Sequence, residues 1–176
     1  VSRLASEKAL VVRSVQPAAM LILAADTTVA LGETIYGKPD DVHMAREMLW
    51  ELRGKTHQVY TAVTLHTAGQ EIGTQVICRS DVPMRAYSPE EVDLYAASGD
   101  PLDKAGAYAI QNEQFRPVQY FGGCFASVMG LPLCHIAFAL AGLKKVPEVD
   151  IAEACQQHLK YDCPIHERVL RGENLG

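Results

Sequence analysis

The stretch Asp103-Lys104-Ala105-Gly106-Ala107-Tyr108-Ala109-Ile110-Gln111 places an acid, an ammonium group, a glycine, an aromatic ring and a carboxamide within nine residues. It follows Gly99-Asp100-Pro101, which ends the preceding predicted helix, so the charged pair is expected on a loop. Asp103 and Lys104 can bind each other or a charged ligand, while Gln111 offers a donor and an acceptor to a flat polar ring. The stretch therefore predicts a polar binding site in a loop.

A second polar cluster lies upstream, where Ala25-Asp26-Thr27-Thr28-Val29 ends the apolar run Met20 to Ala25. The run is short, which is consistent with a buried strand that delivers Asp26 at its carboxyl end. A carboxylate there can deprotonate a water molecule or hold Mg²⁺, and both are needed for phosphate hydrolysis. The alternative for a single aspartate after a strand is a cap or a turn residue.

Five segments of the chain together resemble the Maf family of nucleoside triphosphate pyrophosphatases. The segments are Ala25-Asp26-Thr27, Gly37-Lys38-Pro39, Leu52-Arg53-Gly54-Lys55-Thr56-His57, Pro101 to Gln111, and Val128-Met129-Gly130-Leu131-Pro132-Leu133. They occur in the family's order and spacing and cover roughly Val1 to Leu140. The Asp-Lys-Ala-Gly-Ala-Tyr-x-Ile-Gln form resembles the branch that hydrolyses dTTP and UTP.

The resemblance implies an α/β fold with a mixed, elongated, twisted sheet flanked by helices, related to inosine triphosphate pyrophosphatases. It implies hydrolysis between the α- and β-phosphorus to a monophosphate and pyrophosphate, with Mg²⁺ or Mn²⁺ as cofactor. By resemblance Asp26 is the proton acceptor, and Thr27 and Gln111 set the nucleobase preference. Contacts with the triphosphate or its metal are implied for Lys8, Lys38, Asp103 and Lys104. Without the resemblance, these lysines would be interpreted as solvated surface residues.

One family segment has no counterpart here. Members of the family open with a strand and a Ser-x-Ser-Pro-Arg-Arg loop that grips phosphate, whereas Ser88-Pro89 is the single Ser-Pro of this chain. The segment Val1 to Ala9 resembles the family's next helix, so the expectation is a truncated amino terminus and little activity in the chain as given. If the chain is fully active, the phosphate grip must come from other residues, and the first to test are Arg3, Arg53 and Arg116.

Composition limits the class of protein. The 176 residues are predicted to form one domain, 1–176, with 145–176 as a carboxy-terminal helix and tail. The net charge of −5 argues against a nucleic-acid backbone as partner but not against a free nucleotide. The longest apolar stretch, Pro132 to Leu143, is too short to span a bilayer. The expected partner is therefore a small nucleotide, and a homodimer is left open.

The five cysteines are scattered along the chain, which is not the pattern of a disulfide framework. Reduced thiols and a cytoplasmic location are predicted. Cys155, His158, Cys163 and His166 could form a tetrahedral zinc site, although their spacing is not that of a zinc finger. The alternative is a packed helix with a polar tail.

Local patterns predict the remaining elements. Helices are predicted for Ser2 to Val12, from Asp40 or Asp41 to Gly54, from Ser88 to about Gly99, for Pro132 to Leu143 and for Asp150 to Leu159. Strands are predicted for His57 to Thr67, for about Gln75 to Ala86 after a turn at Gly69, and for Val118 to Phe121. Residues Gly32 to Pro39 are predicted to form a loop.

Two other functions remain open at this point. A purine-type house-cleaning pyrophosphatase would be favoured by a pocket wide enough for a purine. A nucleotide-binding regulator of septum formation would bind nucleotide without releasing pyrophosphate, so pyrophosphate release separates it from the enzymes.

Overall fold

The computed structural model describes residues 1–16, 21–68 and 73–176, and the chain folds as an α/β protein, as predicted. The strands are β1 (Leu21–Leu31), β2 (Thr34–Tyr36), β3 (Thr56–Thr67) and β4 (Thr74–Pro83). The helices are α1 (Ser2–Val15), α2 (Val42–Leu52), α3 (Pro89–Ala97), α4 (Phe125–Val128), α5 (Leu133–Gly142), α6 (Ile151–Leu159) and α7 (His166–Leu170). Two short 3₁₀ turns, Asp100–Asp103 and Ala105–Ala107, lie between α3 and α4.

The strands pair in the order β2-β1-β3-β4, and each pairing between described strands is antiparallel. The central strand β3 is buried without interruption from Thr61 to His66. Thr64 shares a hydrogen bond with Ser6 of α1, whereas Thr61 donates one to the carbonyl of Ser127 in α4. Because Thr61 and Thr64 are an odd number of residues apart, helices cover both faces of β3. The predicted half-buried strand is therefore a strand that is buried on both sides.

Strand β1 is longer than predicted and continues to Leu31, so Asp26 lies in the middle of the strand and not at its end. The prediction ended the strand at Ala25 because polar residues follow, although β-branched residues such as Thr28 and Val29 favour strands. The predicted loop Gly32 to Pro39 also contains strand β2. A hairpin forms because Gly32 adopts a φ of +60° in the two-residue turn between β1 and β2.

Short-range capping signals were reliable. Asp41 caps α2 by accepting a hydrogen bond from the amide of Met44 at 2.8 Å. Ser88 and Glu91 form the predicted capping box of α3, each side chain accepting from the other's backbone amide. Both predicted helix starts are confirmed.

The strand predicted for Val118 to Phe121 is wrong, because Val118 makes an isolated bridge to Met84 and no longer ladder forms in this region. Pro117 has no amide hydrogen to donate and two glycines follow Phe121, so extended pairing ends after a single bridge. The strand predicted near Gln75 to Ala86 is confirmed as β4, antiparallel to β3. Met20 and the predicted turn at Gly69 lie outside the described residues.

The main hydrophobic core lies between the sheet and helices α2 and α3. Its largest fully buried side chains include Leu49, Leu52, Val59, Val82, Tyr87 and Val92. Within 145–176, α6 lies where predicted, and α7 is an additional five-residue helix; both pack against α5. No helix among the described residues is long and apolar enough to cross a membrane.

Candidate functional site

A cavity of about 320 Å³ lies where β1, helix α1 and the two 3₁₀ turns meet. Its walls contain all seven residues that the family resemblance assigns to the nucleotide and its metal, namely Lys8, Asp26, Thr27, Lys38, Asp103, Lys104 and Gln111. A larger groove of about 870 Å³ along α6 and α7 contains none of them. The fold thus gathers into one concave site residues that are spread over more than half of the chain.

The sheet edge explains how neighbouring strand residues reach the same cavity. Side chains of Asp26 and Thr27 point to opposite faces of β1, because successive strand residues alternate. Strand β2 pairs with β1 only from Val29 to Leu31, so Asp26 and Thr27 face no described strand on that side. The cavity borders this open edge and is lined by side chains from both faces of β1.

Asp26 is held by a lysine from α1. The Lys8 ammonium lies 2.7 Å from a carboxylate oxygen of Asp26 and also donates to the carbonyl of Ala25 at 3.2 Å. The Asp26 side chain is only 13% exposed, whereas that of Lys8 is 54% exposed. The carboxylate is therefore fixed in the wall, while the lysine can turn towards a ligand.

Thr27 belongs to a hydrogen-bond chain that sets the direction of its hydroxyl group. Thr61 has one hydroxyl proton and donates it to the carbonyl of Ser127 at 2.7 Å. The 2.8 Å bond between the Thr27 and Thr61 hydroxyls is then donated by Thr27. Thr27 consequently presents oxygen lone pairs, and no proton, to the cavity. Gly130 packs so closely that a Cβ there would lie 3.2 Å from the Thr27 oxygen.

On the opposite wall Lys104 is restrained by two acids. Its ammonium lies 2.6 Å from Asp103, 3.2 Å from the Asp100 carboxylate and 3.0 Å from the Asp100 carbonyl. Partial burial opposes the charge of Lys104, but the carboxylates of Asp103 and Asp100 outweigh it and raise the pKa of the ammonium group. Lys104 is thus a charged anchor of the loop as well as a cation of the cavity wall.

Lys38 and Asp103 form the more exposed rim. The hydrogen bond from Lys104 is the main cause that lowers the pKa of Asp103, and the positive charge of Lys38 adds to it. The amide of Gly106 donates to the carbonyl of Gly37 at 3.0 Å, which joins the loop that carries Lys38 to the loop that carries Lys104. A backbone hydrogen bond therefore links the loops that carry two of the cations.

Gln111 borders the cavity with its side chain exposed. Behind it, the Tyr108 hydroxyl shares a 2.8 Å hydrogen bond with Nε2 of the fully buried His57. Burial raises the pKa of Tyr108 and lowers that of His57 to about 4, so both groups are neutral near neutral pH. The loop backbone is thereby anchored in the core, and the carboxamide of Gln111 is left for a ligand.

The sequence analysis missed two supporting residues, Thr61 and Asp100. Thr61 lies in the same alternating phase of β3 as buried apolar residues, and a buried hydroxyl group needs a hydrogen-bond partner. The sequence pattern could therefore have indicated a role for Thr61. Asp100 was interpreted only as part of a helix-ending segment, although it accepts from Tyr95 at 2.6 Å and from Asn112 at 3.2 Å. Arg3, Arg53 and Arg116, the alternative phosphate ligands, are not among the described residues of the cavity wall.

The family model for Maf-like proteins matches residues 1–143. The chain belongs to the Maf family. It is 53% identical over 133 residues to the dTTP/UTP pyrophosphatase of Myxococcus xanthus. This match covers 76% of this chain and 66% of that protein. For the proteins of the same name from Albidiferax ferrireducens and Methylococcus capsulatus, the identities are 47% over 116 residues and 45% over 143 residues.

The coverage of these relatives is partial. The match with the Albidiferax protein covers 66% of this chain and 57% of the relative, and that with the Methylococcus protein covers 81% and 70%. The chain therefore spans less than two thirds of the length of the first two Maf relatives. All seven residues selected for the cavity lie within the region that the Maf model matches.

Proposed function

We propose that this Maf protein hydrolyses nucleoside triphosphates, with dTTP and UTP as preferred substrates, to the monophosphate and pyrophosphate. The observation that carries the proposal is the convergence of three lysines, two aspartates, Thr27 and Gln111 on one cavity. A volume of about 320 Å³ lies within the range of small-molecule sites. The names of the relatives point to the same reaction.

The triphosphate is assigned to the lysine side of the cavity. Lys38 and Lys104 are linked through the bond between Gly106 and Gly37, so they present their charges from one connected wall. Lys8 can exchange its exposed contact with Asp26 for a phosphate oxygen. Such cations stabilise the negative charge that develops on the phosphates in the transition state.

Asp26 is assigned as the general base that activates water. Its carboxylate is bonded by Lys8 at 2.7 Å and faces the same cavity as Lys38 and Lys104. A positioned carboxylate can take a proton from water as the water attacks phosphorus.

The direction of the Thr27 hydroxyl supports selection of thymine and uracil. N3 of these bases carries a proton, whereas N3 of cytosine is an acceptor, so the lone pairs of Thr27 suit the first two bases and repel the third. The carboxamide of Gln111 can supply both a donor and an acceptor to the remaining polar edge of the ring.

The donor set fits a divalent metal such as Mg²⁺ or Mn²⁺. These hard cations take one or two carboxylates and complete their shell with water and substrate phosphates, and Asp26 and Asp103 are the carboxylates of this cavity. A bound metal ion would neutralise charge on the phosphates. The residues of the chain would hold it, orient the nucleotide and accept the proton.

The test is pyrophosphate release by the complete gene product from dTTP, UTP, CTP and GTP, with Mg²⁺ or Mn²⁺ supplied. Asp26→Asn should reduce turnover by about 10²–10⁴-fold with little change in stability, because the amide keeps the size of the side chain but loses its basicity. The matched control is Asp93→Asn, an aspartate 52% exposed on α3 that pairs with Arg46 outside the cavity. Turnover of Asp26→Asn within a few-fold of wild type would remove Asp26 from the mechanism. Tight nucleotide binding without any pyrophosphate release by the wild type would refute the enzymatic proposal.

A further inference from the structure

A cluster of metal-binding side chains lies outside the nucleotide cavity. Cys78 comes from β4, Cys124 caps the start of α4, and His135 lies in α5. Their side chains are almost completely buried, with exposures of 0%, 6% and 5%. One donor atom from each lies within 4.8 Å of the other two, and the described part of the chain contains no second group of this kind.

The two ring nitrogens of His135 differ in their surroundings. Its Nε2 is 2.7 Å from the carbonyl oxygen of Leu175, whereas the buried Nδ1 has no hydrogen-bond partner among the described residues. A histidine that binds a metal usually donates one ring N–H to a carbonyl and uses the other nitrogen as the ligand. A buried imidazole nitrogen without any partner is otherwise costly, so a ligand for it would stabilise the fold.

We propose that Cys78, Cys124 and His135 bind one zinc ion. Thiolate and imidazole donors are the usual ligands of zinc, with Zn–S of about 2.3 Å and Zn–N of about 2.0 Å. Tetrahedral coordination at these lengths needs donor separations of about 3.5–3.8 Å, so the separations in the present cluster, which are within 4.8 Å, have to contract by about 1.3 Å or less. Binding displaces one proton from each thiol to solvent. The two thiolates then neutralise the double charge of the ion, so no net charge is buried.

The cluster adjoins a space that can supply the fourth coordination position. Cys124 also borders a small cavity of about 10 Å³, which is room for about one water-sized atom. Cys134, Cys155, Cys163 and His166 also line this cavity but do not belong to the three-residue group, so a water molecule is assigned to the fourth position. The fold thus brings all five cysteines to one region while leaving them as free thiols.

The proposed ligand set differs from the one that the sequence suggested. His158 is exposed on α6 and does not border the cavity that contains Cys155, Cys163 and His166. Nδ1 of His166 is 2.7 Å from the carbonyl oxygen of Cys163, and His166 does not belong to the three-residue cluster. The suggested set of Cys155, His158, Cys163 and His166 does not assemble into a metal-binding group in the described structure.

A zinc ion here would tie β4, α4 and α5 together. Helix α4 is a single turn that starts beside Cys124 and ends at Val128, and Val128 lines the nucleotide cavity. The ion would therefore hold one wall of that cavity from behind. The zinc site does not depend on the proposed reaction, because metal content is measured without substrate.

The first experiment uses the unmodified protein, purified under reducing conditions and dialysed against zinc. Elemental analysis should find one zinc ion per chain. Replacement by Co²⁺ should produce thiolate-to-cobalt charge-transfer absorption. Zinc should also protect Cys78 and Cys124 from alkylation, as read by mass spectrometry, and should raise the thermal unfolding temperature. Absence of stoichiometric zinc, or zinc-independent alkylation of these two cysteines, would overturn the proposal. Protein purified without reductant is the last check. If it contains a Cys78–Cys124 disulfide, and if treatment with reductant and zinc does not yield the zinc-bound form, the proposal is also overturned.

The second experiment uses Cys124→Ser and His135→Gln, with Cys155→Ser as the matched control. The control removes a thiol that borders the small cavity but does not belong to the three-residue cluster. The first two variants should lose at least tenfold in zinc affinity, measured by competition with a chromophoric chelator, and the control should keep the wild-type affinity. Equal losses in all three would show non-specific binding by a thiol-rich region. If the buried substitutions prevent folding, the metal content and cysteine protection of the unmodified protein still test the proposal.

Discussion

Substitution of Gly106 by alanine tests how the loop of the nucleotide cavity is built. Gly106 has a φ of +72°, and a Cβ at this position would lie 3.0, 3.2 and 3.3 Å from side-chain carbons of Val29. Val29 is 3% exposed and belongs to the main core, so it has little room to move. Gly106→Ala should therefore carry two costs, one from backbone strain and one from overpacking.

The magnitude follows from these two terms. A left-handed backbone costs an L-residue roughly 1–2 kcal/mol. Overpacking of a core by one added carbon costs about 1–3 kcal/mol. The free energy of unfolding should therefore fall by about 2–5 kcal/mol. The matched control is Gly32→Ala in the turn between β1 and β2, where φ is +60° and no heavy atom lies within 4 Å of the added Cβ. That variant should lose only the backbone term, about 1–2 kcal/mol.

Urea unfolding followed by circular dichroism gives both free energies. The gain from a stiffer unfolded chain is the same for the two glycine-to-alanine changes and cancels in the comparison. Gly106→Ala should also raise the KM for nucleotide, because its amide bond to Gly37 aligns the loops that carry Lys38 and Lys104. Equal destabilisation by the two variants would refute the reasoning, since it would mean that Val29 makes room at no cost.

Three further predictions concern the pH dependence of stability, the nucleobase preference and the contribution of Arg85 to stability. Burial lowers the pKa of His57 to about 4, below its unfolded value of about 6.5, so in this interval the unfolded chain binds a proton that the native one does not. The free energy of unfolding should thus decrease as the pH is lowered, by about 2 kcal/mol from about pH 7.5 to about pH 5. His57→Gln should reduce this pH dependence in urea titrations, and an unchanged dependence would assign it to other groups. Gln111→Glu should change the relative specificity constants for dTTP, UTP, CTP and GTP more than the metal dependence, whereas an equal loss on all four would indicate a structural glutamine. Arg85→Met should lower the free energy of unfolding by about 2–3 kcal/mol, because the guanidinium bonds Glu91 and two backbone carbonyls; a change too small to measure in urea would show that these contacts are replaced by water.

The sequence by itself determined the features that depend on neighbouring residues. The capping box at Ser88 and Glu91 was readable because both partners lie within one helical turn. The alternation from His57 to Thr67 predicted β3, since strand periodicity is local as well. The family resemblance selected Asp26, Lys38, Gln111 and the other cavity residues, and the structure places all of them around one cavity.

Only the tertiary structure decided the contacts between distant segments. The direction of the Thr27 hydroxyl depends on Thr61 and Ser127, and no pattern along the chain links these positions. The ligand cluster likewise combines a β4 thiol with one from the start of α4 and an imidazole from α5, whereas the sequence pointed to Cys155 and its neighbours because they are close along the chain. Spacing along a chain constrains side chains within a few residues, but strand register and helix packing determine which distant side chains meet, and these are set by burial of the whole core.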